Sequence, residues 1–183
     1  MRIGLIADTH IIQTGEEPPH QVAEAFQGVN LILHAGDLLV LSVLDWLENI
    51  APVLAVRGNG DSGLPPDPRL PETRVLTICD KRLGLCHCLG PLRDLQNFME
   101  RHFNGAVDII VFGDTHAAIV QTHNGVLLVN AGSPTIPRGL RGVLGTVGVL
   151  DLTDDKAEAR IIPLPSPRYP LAAMRTISLP LEM

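Results

Sequence analysis

The sequence predicts an α/β fold, a four-layer α/β/β/α sandwich in which two mixed β-sheets are flanked by helices. Two observations predict it. Up to residue 59, short apolar runs alternate with segments of helical periodicity, which is typical of βαβ units and a parallel sheet. From residue 73 onward, the apolar runs are short and closely spaced, and one pair is joined by a hairpin signal, which indicates a second sheet.

The first part of the chain is predicted to form three strands and two helices. Residues 2–7 are a compact apolar run with the length of a buried strand. A loop is expected over residues 11–19, because Gly15, Pro18 and Pro19 interrupt regular structure there. The remaining elements are helices over about 20–27 and 39–49 and strands over 30–34 and 53–56.

The rest of the chain is predicted to be richer in strands. Residues 62–72 are expected to form a stiff exposed loop, because four prolines and a glycine fall within them. His123-Asn124-Gly125 predicts a hairpin turn. The other elements are a helix over 92–103 and strands over 73–78, 82–88, 107–112, 117–122, 126–130, 144–151 and 157–162.

A single domain is expected over residues 1–162. The chain has 183 residues, of which 45% are hydrophobic, so it can bury one sizeable core. Only 3% are aromatic, so that core must be aliphatic. Residues 163–183 contain five prolines and are predicted to be a C-terminal extension rather than a core element. The extension could wrap the domain, cover a strand edge or reach a partner subunit.

The net charge and the cysteine content limit which partners and which cellular location we expect. A formal net charge of −6 argues against nucleic acid as the main partner. Cys79, Cys86 and Cys88 are an odd, low number of cysteines, which is typical of reduced thiols in the cytoplasm. The first apolar stretch ends at Asp8, too early for a signal peptide or a membrane span. We therefore expect a cytoplasmic protein without a membrane partner.

Five polar motifs follow apolar runs along the chain. They are Asp8-Thr9-His10, Gly36-Asp37, Gly58-Asn59, His87 and Gly113-Asp114-Thr115-His116. Because side chains at strand ends meet at one edge of a sheet, we expect them to converge on one cleft. Carboxylate, amide and imidazole groups are ligands for hard divalent cations, and three carboxylates in one cleft would repel one another without a cation. The motifs therefore predict a two-metal site.

The series D-x-H, G-D, G-N, H and G-x-x-H resembles that of the calcineurin-like metallophosphoesterases, in particular their small single-domain bacterial and archaeal phosphodiesterases. The resemblance covers about residues 1–150. It implies the same fold and a first metal held by Asp8, His10, Asp37 and His116. It implies a second metal held by Asp37, Asn59, His87 and Asp114, with Asp37 as the bridge. The catalytic residues it implies are His10, Asp37, Asn59 and His87.

The sequence departs from the family pattern at two positions. The last motif is usually G-H-x-H, whereas Asp114 stands here in place of the first histidine. As a ligand, Asp114 would favour harder metals such as Mn²⁺ or Mg²⁺; alternatively it is a turn residue, and the second metal is weak or absent. Many relatives place a histidine after the asparagine to protonate the leaving group, whereas Asn59 is followed by Gly60.

Several other residues near the motifs have two interpretations. His34 either orients Asp37 from behind or is a buried strand-end histidine bonded to the backbone. Arg57 either touches a substrate phosphate or, as we favour, has a structural role and pairs with a neighbouring carboxylate such as Asp61. Cys86 and Cys88 are expected to share one face of a strand as core residues, opposite His87. Residues 130–134 suit loop hydrogen bonding near the cleft.

The function predicted from these residues is a metal-dependent phosphoesterase, specifically a phosphodiesterase that uses a metal-bridging hydroxide for in-line attack. Two divalent cations are expected, Mn²⁺ first, with Mg²⁺, Fe or Zn²⁺ as alternatives. The expected partner is a small phosphate-ester substrate, and strand edges would allow a homodimer. The rival hypothesis is a protein-binding scaffold resembling a retromer subunit, with a degraded catalytic site and the proline-containing tail as its working surface.

Overall fold

The structure, a computed structural model, describes residues 1–165 and 178–181 as two mixed β-sheets with three α-helices. The strands are β1 Arg2–Ile6, β2 Leu31–His34, β3 Val53–Ala55, β4 Thr73–Ile78, β5 Lys81–Cys86, β6 Ile109–Phe112, β7 Ile119–His123, β8 Val126–Asn130, β9 Thr146–Leu152, β10 Ala157–Pro163 and β11 Ser178–Leu181. The helices are α1 His20–Ala25, α2 Ser42–Glu48 and α3 Leu95–Phe103. Single 3₁₀ turns lie at Asn59–Gly63, Leu92–Asp94 and Pro137–Gly139.

Each sheet has a parallel part that the site uses. The first sheet has the order β11-β10-β9-β1-β2-β3, and β1, β2 and β3 are parallel. The second has the order β4-β5-β6-β8-β7, and β5, β6 and β8 are parallel. Antiparallel strands complete both sheets. The parallel strands therefore end in polar loops at one end of the sandwich.

Three apolar clusters give the predicted four layers. Between the sheets, alternate residues of facing strands, such as Leu5 and Leu85, form an aliphatic core. The outer face of the first sheet packs against α1 and α2, and that of the second packs against α3. At Gly84 a Cβ atom would lie 2.5 Å from the Phe103 ring, so glycine lets α3 approach β5. The α/β/β/α prediction is confirmed.

The predicted elements are present with small shifts at their ends. The hairpin turn is confirmed, since Asn124 and Gly125 join β7 to β8 with φ values of 50° and 80°. The helix predicted over 92–103 starts as a 3₁₀ turn and becomes α-helical at Leu95. Strand β5 ends at Cys86, so His87 lies just beyond the strand rather than within it.

The C-terminal segment contributes one strand that the sequence does not predict. Residues 178–181 form β11, which pairs antiparallel with β10 at the edge of the first sheet. Residues 166–177 and 182–183 of the predicted extension lie outside the described residues. The division into a domain and an extension stays a prediction. Across the described residues, no helix combines the length and apolar character that crossing a membrane requires.

Candidate metal centre

The seven predicted ligands lie at the carboxyl ends of parallel strands from both sheets. Asp8 and His10 follow β1, Asp37 follows β2 and Asn59 follows β3. His87 follows β5, and Asp114 and His116 follow β6. The two sheets are joined here directly, because His87 of the second sheet bonds to the carbonyl of Ala35 in the first at 2.7 Å. The strand ends thus bring together residues that are up to 108 positions apart, from Asp8 to His116.

Most of the ligand residues have a left-handed backbone, which L-residues adopt at a cost. Five of them have positive φ values: Asp8 at 54°, His10 at 45°, Asp37 at 60°, Asp114 at 70° and His116 at 53°. Each such residue costs of order 1–2 kcal/mol. Backbone hydrogen bonds between the loops maintain this geometry. The N–H of Asp8 donates to the backbone carbonyl of Gly36, and the N–H of His10 donates to the backbone carbonyl of Asp37. Strain concentrated on these residues is typical of a functional site.

At one end of the centre, which we call the His116 end, lie Asp8, His10 and His116. The Nδ1 atom of His116 donates to the carbonyl of Ile136 at 3.0 Å, so its Nε2 atom presents a lone pair. That Nε2 lies 3.1 Å from Nε2 of His10 and 3.6 Å from Oδ1 of Asp8. The three ligand atoms lie within 4.8 Å of one another.

At the other end, the His87 end, lie Asn59, His87 and Asp114. The Nδ1 atom of His87 donates to Ala35, so its Nε2 lone pair faces Oδ1 of Asn59 at 2.9 Å. Oδ1 of Asp114 is 3.8 Å from the same nitrogen. An imidazole nitrogen, an amide and a carboxylate are all ligand groups for divalent cations. This end therefore also suits a cation.

Asp37 lies between the two ends. Its Oδ2 is 3.4 Å from Nε2 of His10, and its Oδ1 is 3.4 Å from Nε2 of His87. The N–H of Gly60 donates to Oδ1 at 2.7 Å and fixes the carboxylate. Asp8 is central as well, because its carboxylate lies within 4.8 Å of ligand atoms of Asp37 and His87. Both aspartates are therefore placed to interact with cations at either end.

The Asp8 carboxylate provides a direct test of whether the residues fit a metal. The side chain is fully buried, and none of the described residues donates a hydrogen bond to its Oδ2. Burial, with the nearby carboxylates of Asp37 and Asp114 adding to it, raises the pKa of Asp8 to about 8. A buried carboxylate oxygen without a donor is costly unless a cation neutralises it. The donor set thus fits divalent cations.

Asp61 connects two loops of the metal centre, and it is not part of the five sequence motifs. Its buried carboxylate accepts the N–H groups of Asp37 at 2.9 Å, Gly58 at 2.8 Å and Leu39 at 2.9 Å. It therefore joins the loop after β2 to the loop after β3. A carboxylate two positions after Asn59 was the only available signal, because its partners are backbone groups that no side-chain motif reveals.

Of its two interpretations, His34 has the features of the second, a buried strand-end histidine bonded to the backbone, and it supports the same loop. Its Nδ1 accepts the Gly36 N–H at 3.1 Å, so Nε2 carries the hydrogen and faces Oγ1 of Thr9 at 3.2 Å. Burial lowers the pKa of His34 to about 3, which keeps the ring neutral. Gly58 is also needed there, because a Cβ atom would lie 2.1 Å from Oδ1 of Asp37.

The remaining expectations have mixed outcomes. Arg57 is structural as favoured, but it donates to the carbonyl of Asp61 at 2.7 Å and not to the carboxylate. Ser133 bonds to the carbonyl of Asp8, as loop hydrogen bonding near the cleft predicts. The expectation that both Cys86 and Cys88 are core residues is wrong. Cys86 is buried but Cys88 is exposed, because β5 ends at Cys86 and strand alternation stops there.

Comparisons with known proteins agree with this geometry. The family model of the calcineurin-like phosphoesterase superfamily domain matches residues 1–155. The chain is 37% identical over 163 residues to a probable metallophosphoesterase of Methanothermobacter thermautotrophicus, covering 88% of this chain and 92% of that protein. It is 26% identical to a phosphodiesterase of Methanocaldococcus jannaschii, covering 88% of this chain and 99% of that protein.

A solved structure similar to this one belongs to a protein described by a different role. It is vacuolar protein sorting 29 of Cryptosporidium parvum, with a TM-score of 0.76 and 25% identity. The match covers 98% of this chain and 95% of that chain. The chain is thus similar in sequence to a protein named as a phosphodiesterase and in backbone to a protein named for sorting, so the fold alone does not decide between the two roles.

Proposed function

This chain belongs to the calcineurin-like phosphoesterase superfamily, and we propose that it is a phosphodiesterase dependent on two divalent cations. The observation that carries the proposal is the continuous set of contacts among seven ligand side chains, centred on the carboxylates of Asp8 and Asp37. The unpartnered Oδ2 of Asp8 supports it further, since a protein without a cation has no reason to bury that oxygen there. Mn²⁺ is our first choice because the proposed ligand set contains more oxygen donors than a typical zinc site does.

We propose that Asp8, His10, Asp37 and His116 hold one cation and that Asp37, Asn59, His87 and Asp114 hold the other. When bound, such a pair lowers the pKa of water, which supplies the nucleophile, and neutralises the phosphate oxygens. The chain's part is to orient the ligands. Ala35 and Ile136 each fix one imidazole by accepting its Nδ1 hydrogen, and Gly60 fixes Asp37.

The local geometry around residue 60 favours substrates with good leaving groups. Gly60 has no side chain to donate a proton, and its N–H is already bonded to Asp37. Asp61 is committed to three backbone N–H groups and is therefore not positioned as an acid. A phosphodiester whose leaving group is stable as an anion needs no such donor.

The test is a hydrolysis assay with metal-stripped protein titrated with Mn²⁺. The substrates are bis(p-nitrophenyl) phosphate and p-nitrophenyl phosphate, which share a leaving group and differ in the number of esters. We expect saturable, metal-dependent turnover with a preference for the diester. A preference for the monoester would make the protein a phosphatase instead. No turnover despite the binding of two metals would contradict the proposal.

The second candidate is a protein-binding scaffold, which the likeness to a vacuolar sorting protein favours. The complete ligand set argues against it, because a scaffold gains nothing from the strained backbones of Asp8 and His116. The three free thiols support our proposal of a cytoplasmic location. A small phosphate-ester substrate and a homodimer stay predictions, which substrate screening and sedimentation measurements would test.

A further inference from the structure

A cleft of about 530 Å³ opens beside the His87 end of the metal centre. Its lining includes Asn59 and His87 of the metal centre, Arg57 and Thr73, and Phe98 and His102 of α3. Its volume falls within the usual range of small-molecule sites, and most of its lining is apolar. One cleft is thus lined both by two proposed metal ligands and by an aromatic pair on a helix.

The aromatic pair in the cleft, Phe98 and His102, is more exposed than the other phenylalanines of the chain. The rings of Phe98 and His102 have centroids 4.4 Å apart and an interplanar angle of 31°. Phe98 also packs edge-on against Phe103, with a centroid distance of 5.7 Å. Phe26, Phe103 and Phe112 are buried, whereas Phe98 is only half-buried and His102 is exposed. The core does not need the exposed ring of His102, so the pair offers planar surface to the cleft.

The cleft wall is held rigid by hydrogen bonds. Arg57 donates to the carbonyls of Asp61 and Pro65, which fixes a cationic, planar guanidinium at the wall. Thr73 donates to the carbonyl of His102, which joins the end of α3 to β4. A preformed wall of this kind reduces the ordering cost of binding a ligand.

We propose that this cleft binds one ester substituent of the phosphodiester substrate, and that the substituent carries a planar aromatic ring of nucleobase size that stacks on the Phe98–His102 pair. The inference rests on the proposed function, because the phosphate must lie at the metal centre for its substituent to enter from the His87 end. Stacking on aromatic side chains tolerates many ring systems, since every such ring has a π-face. The Phe98–His102 pair is therefore expected to select planar aromatic substituents as a class and not one particular compound.

The experiment uses Mn²⁺-loaded protein and isothermal calorimetry with AMP and ribose 5-phosphate. The two probes share the sugar and the phosphate and differ only in the base. We expect AMP to bind roughly tenfold more tightly than ribose 5-phosphate in the unaltered protein, the ratio that one stacked ring supplies. Equal binding of the two probes would overturn the inference.

Two variants locate the effect. Phe98→Leu keeps an apolar side chain against Phe103 but removes the ring, and His102→Ala removes the exposed ring. In both, the preference for AMP should fall to about twofold or less, while ribose 5-phosphate binds as before. His20→Ala, which removes an exposed histidine on α1, is the matched control and should keep the full preference. A preference that survives both cleft variants would contradict the assignment.

The same samples separate this inference from the proposed function. If ribose 5-phosphate binds and bis(p-nitrophenyl) phosphate is hydrolysed while AMP has no advantage, the enzyme stands and the aromatic subsite is wrong. If neither probe binds the Mn²⁺-loaded protein and no ester is hydrolysed, the phosphodiesterase proposal fails and the subsite fails with it.

Discussion

The two ends of the metal centre are built differently. At the His116 end, Asp8 is fully buried, and the side chains of His10 and His116 are only 19% and 20% exposed. Two hydroxyl groups fix the backbone of the loop after β1. Ser133 donates to the carbonyl of Asp8, and Thr135 donates to the carbonyl of Thr9. The ligand side chains at this end are thus largely shielded from solvent, and the backbone that carries Asp8 is fixed.

The His87 end combines one fixed ligand with two accessible ones. His87 is buried and bonded to Ala35, whereas 42% of the Asp114 side chain is exposed and Asn59 borders the cleft. Under the two-cation proposal, we expect the His116 end to retain its cation and the His87 end to admit substrate and exchange its cation. Substitution of Asp37, which lies between the two ends, should therefore affect both of them. Substitution of Asp61 should affect the contact between the loops after β2 and β3.

The largest effect is expected from Asp37→Asn, because this carboxylate faces both ends. Hydrolysis of bis(p-nitrophenyl) phosphate should fall by at least about 10³-fold, since an amide cannot neutralise two cations. Metal binding should be lost at both ends, while circular dichroism stays unchanged. Full activity in this variant would mean that the two-metal assignment is wrong.

Asp61→Asn should have the next largest effect. The amide keeps one acceptor oxygen, but its NH2 group would face either the N–H of Leu39 or the N–H groups of Asp37 and Gly58, so at least one of these donors would lose its acceptor and the contact between the loops after β2 and β3 would weaken. We expect a loss of roughly 10–100-fold in metal affinity and activity, the usual effect of removing a group that orients ligands. Asp67→Asn, in a loop outside the centre, is the control. Equal behaviour of the two variants would show that Asp61 does not position the ligands.

Asp8→Asn should separate stability from metal binding at the His116 end. Burial raises the pKa of Asp8 to about 8, so at neutral pH the metal-free protein takes up a proton at this carboxyl when it folds, and the Oδ2 has no donor among the described residues. The variant removes that cost. The metal-free variant should therefore be as stable as the unaltered protein or more stable by about 1 kcal/mol. Mn²⁺ should no longer raise its melting temperature. Calorimetric melting with and without Mn²⁺ measures both effects, and a large loss of stability without metal would contradict the argument.

Asp114→His should produce the smallest change, because Asp114 lies at the more exposed end. Imidazole in place of carboxylate should keep or raise activity and shift the preference from Mn²⁺ toward softer ions such as Zn²⁺, by a few-fold. Activity profiles across Mn²⁺, Mg²⁺ and Zn²⁺ give the comparison. Identical profiles for both proteins would show that Asp114 is not a ligand and would leave the second cation with three proposed ligands, Asp37, Asn59 and His87.

Much of this protein was predictable because its signals are local. Apolar runs such as residues 2–7 end in polar motifs, and Asn124-Gly125 specifies a two-residue turn by its own backbone preference. The ligand residues could be selected because carboxylate, amide and imidazole side chains after strands have few other uses together. Asp61, by contrast, could not be selected, because its partners are N–H groups of residues 37, 39 and 58, which are the same in any sequence.

By itself, the sequence determined the α/β/β/α layering and the seven candidate ligands, since both follow from the periodicity and type of side chains along the chain. The tertiary structure decided how these ligands are oriented, because the left-handed backbones of Asp8 and His116 are maintained by hydrogen bonds between distant loops. It also decided that Cys88 is exposed and that a cleft joins His87 to Phe98. Such features depend on where strands end and which helix packs beside them, and neighbouring residues along the chain do not encode that.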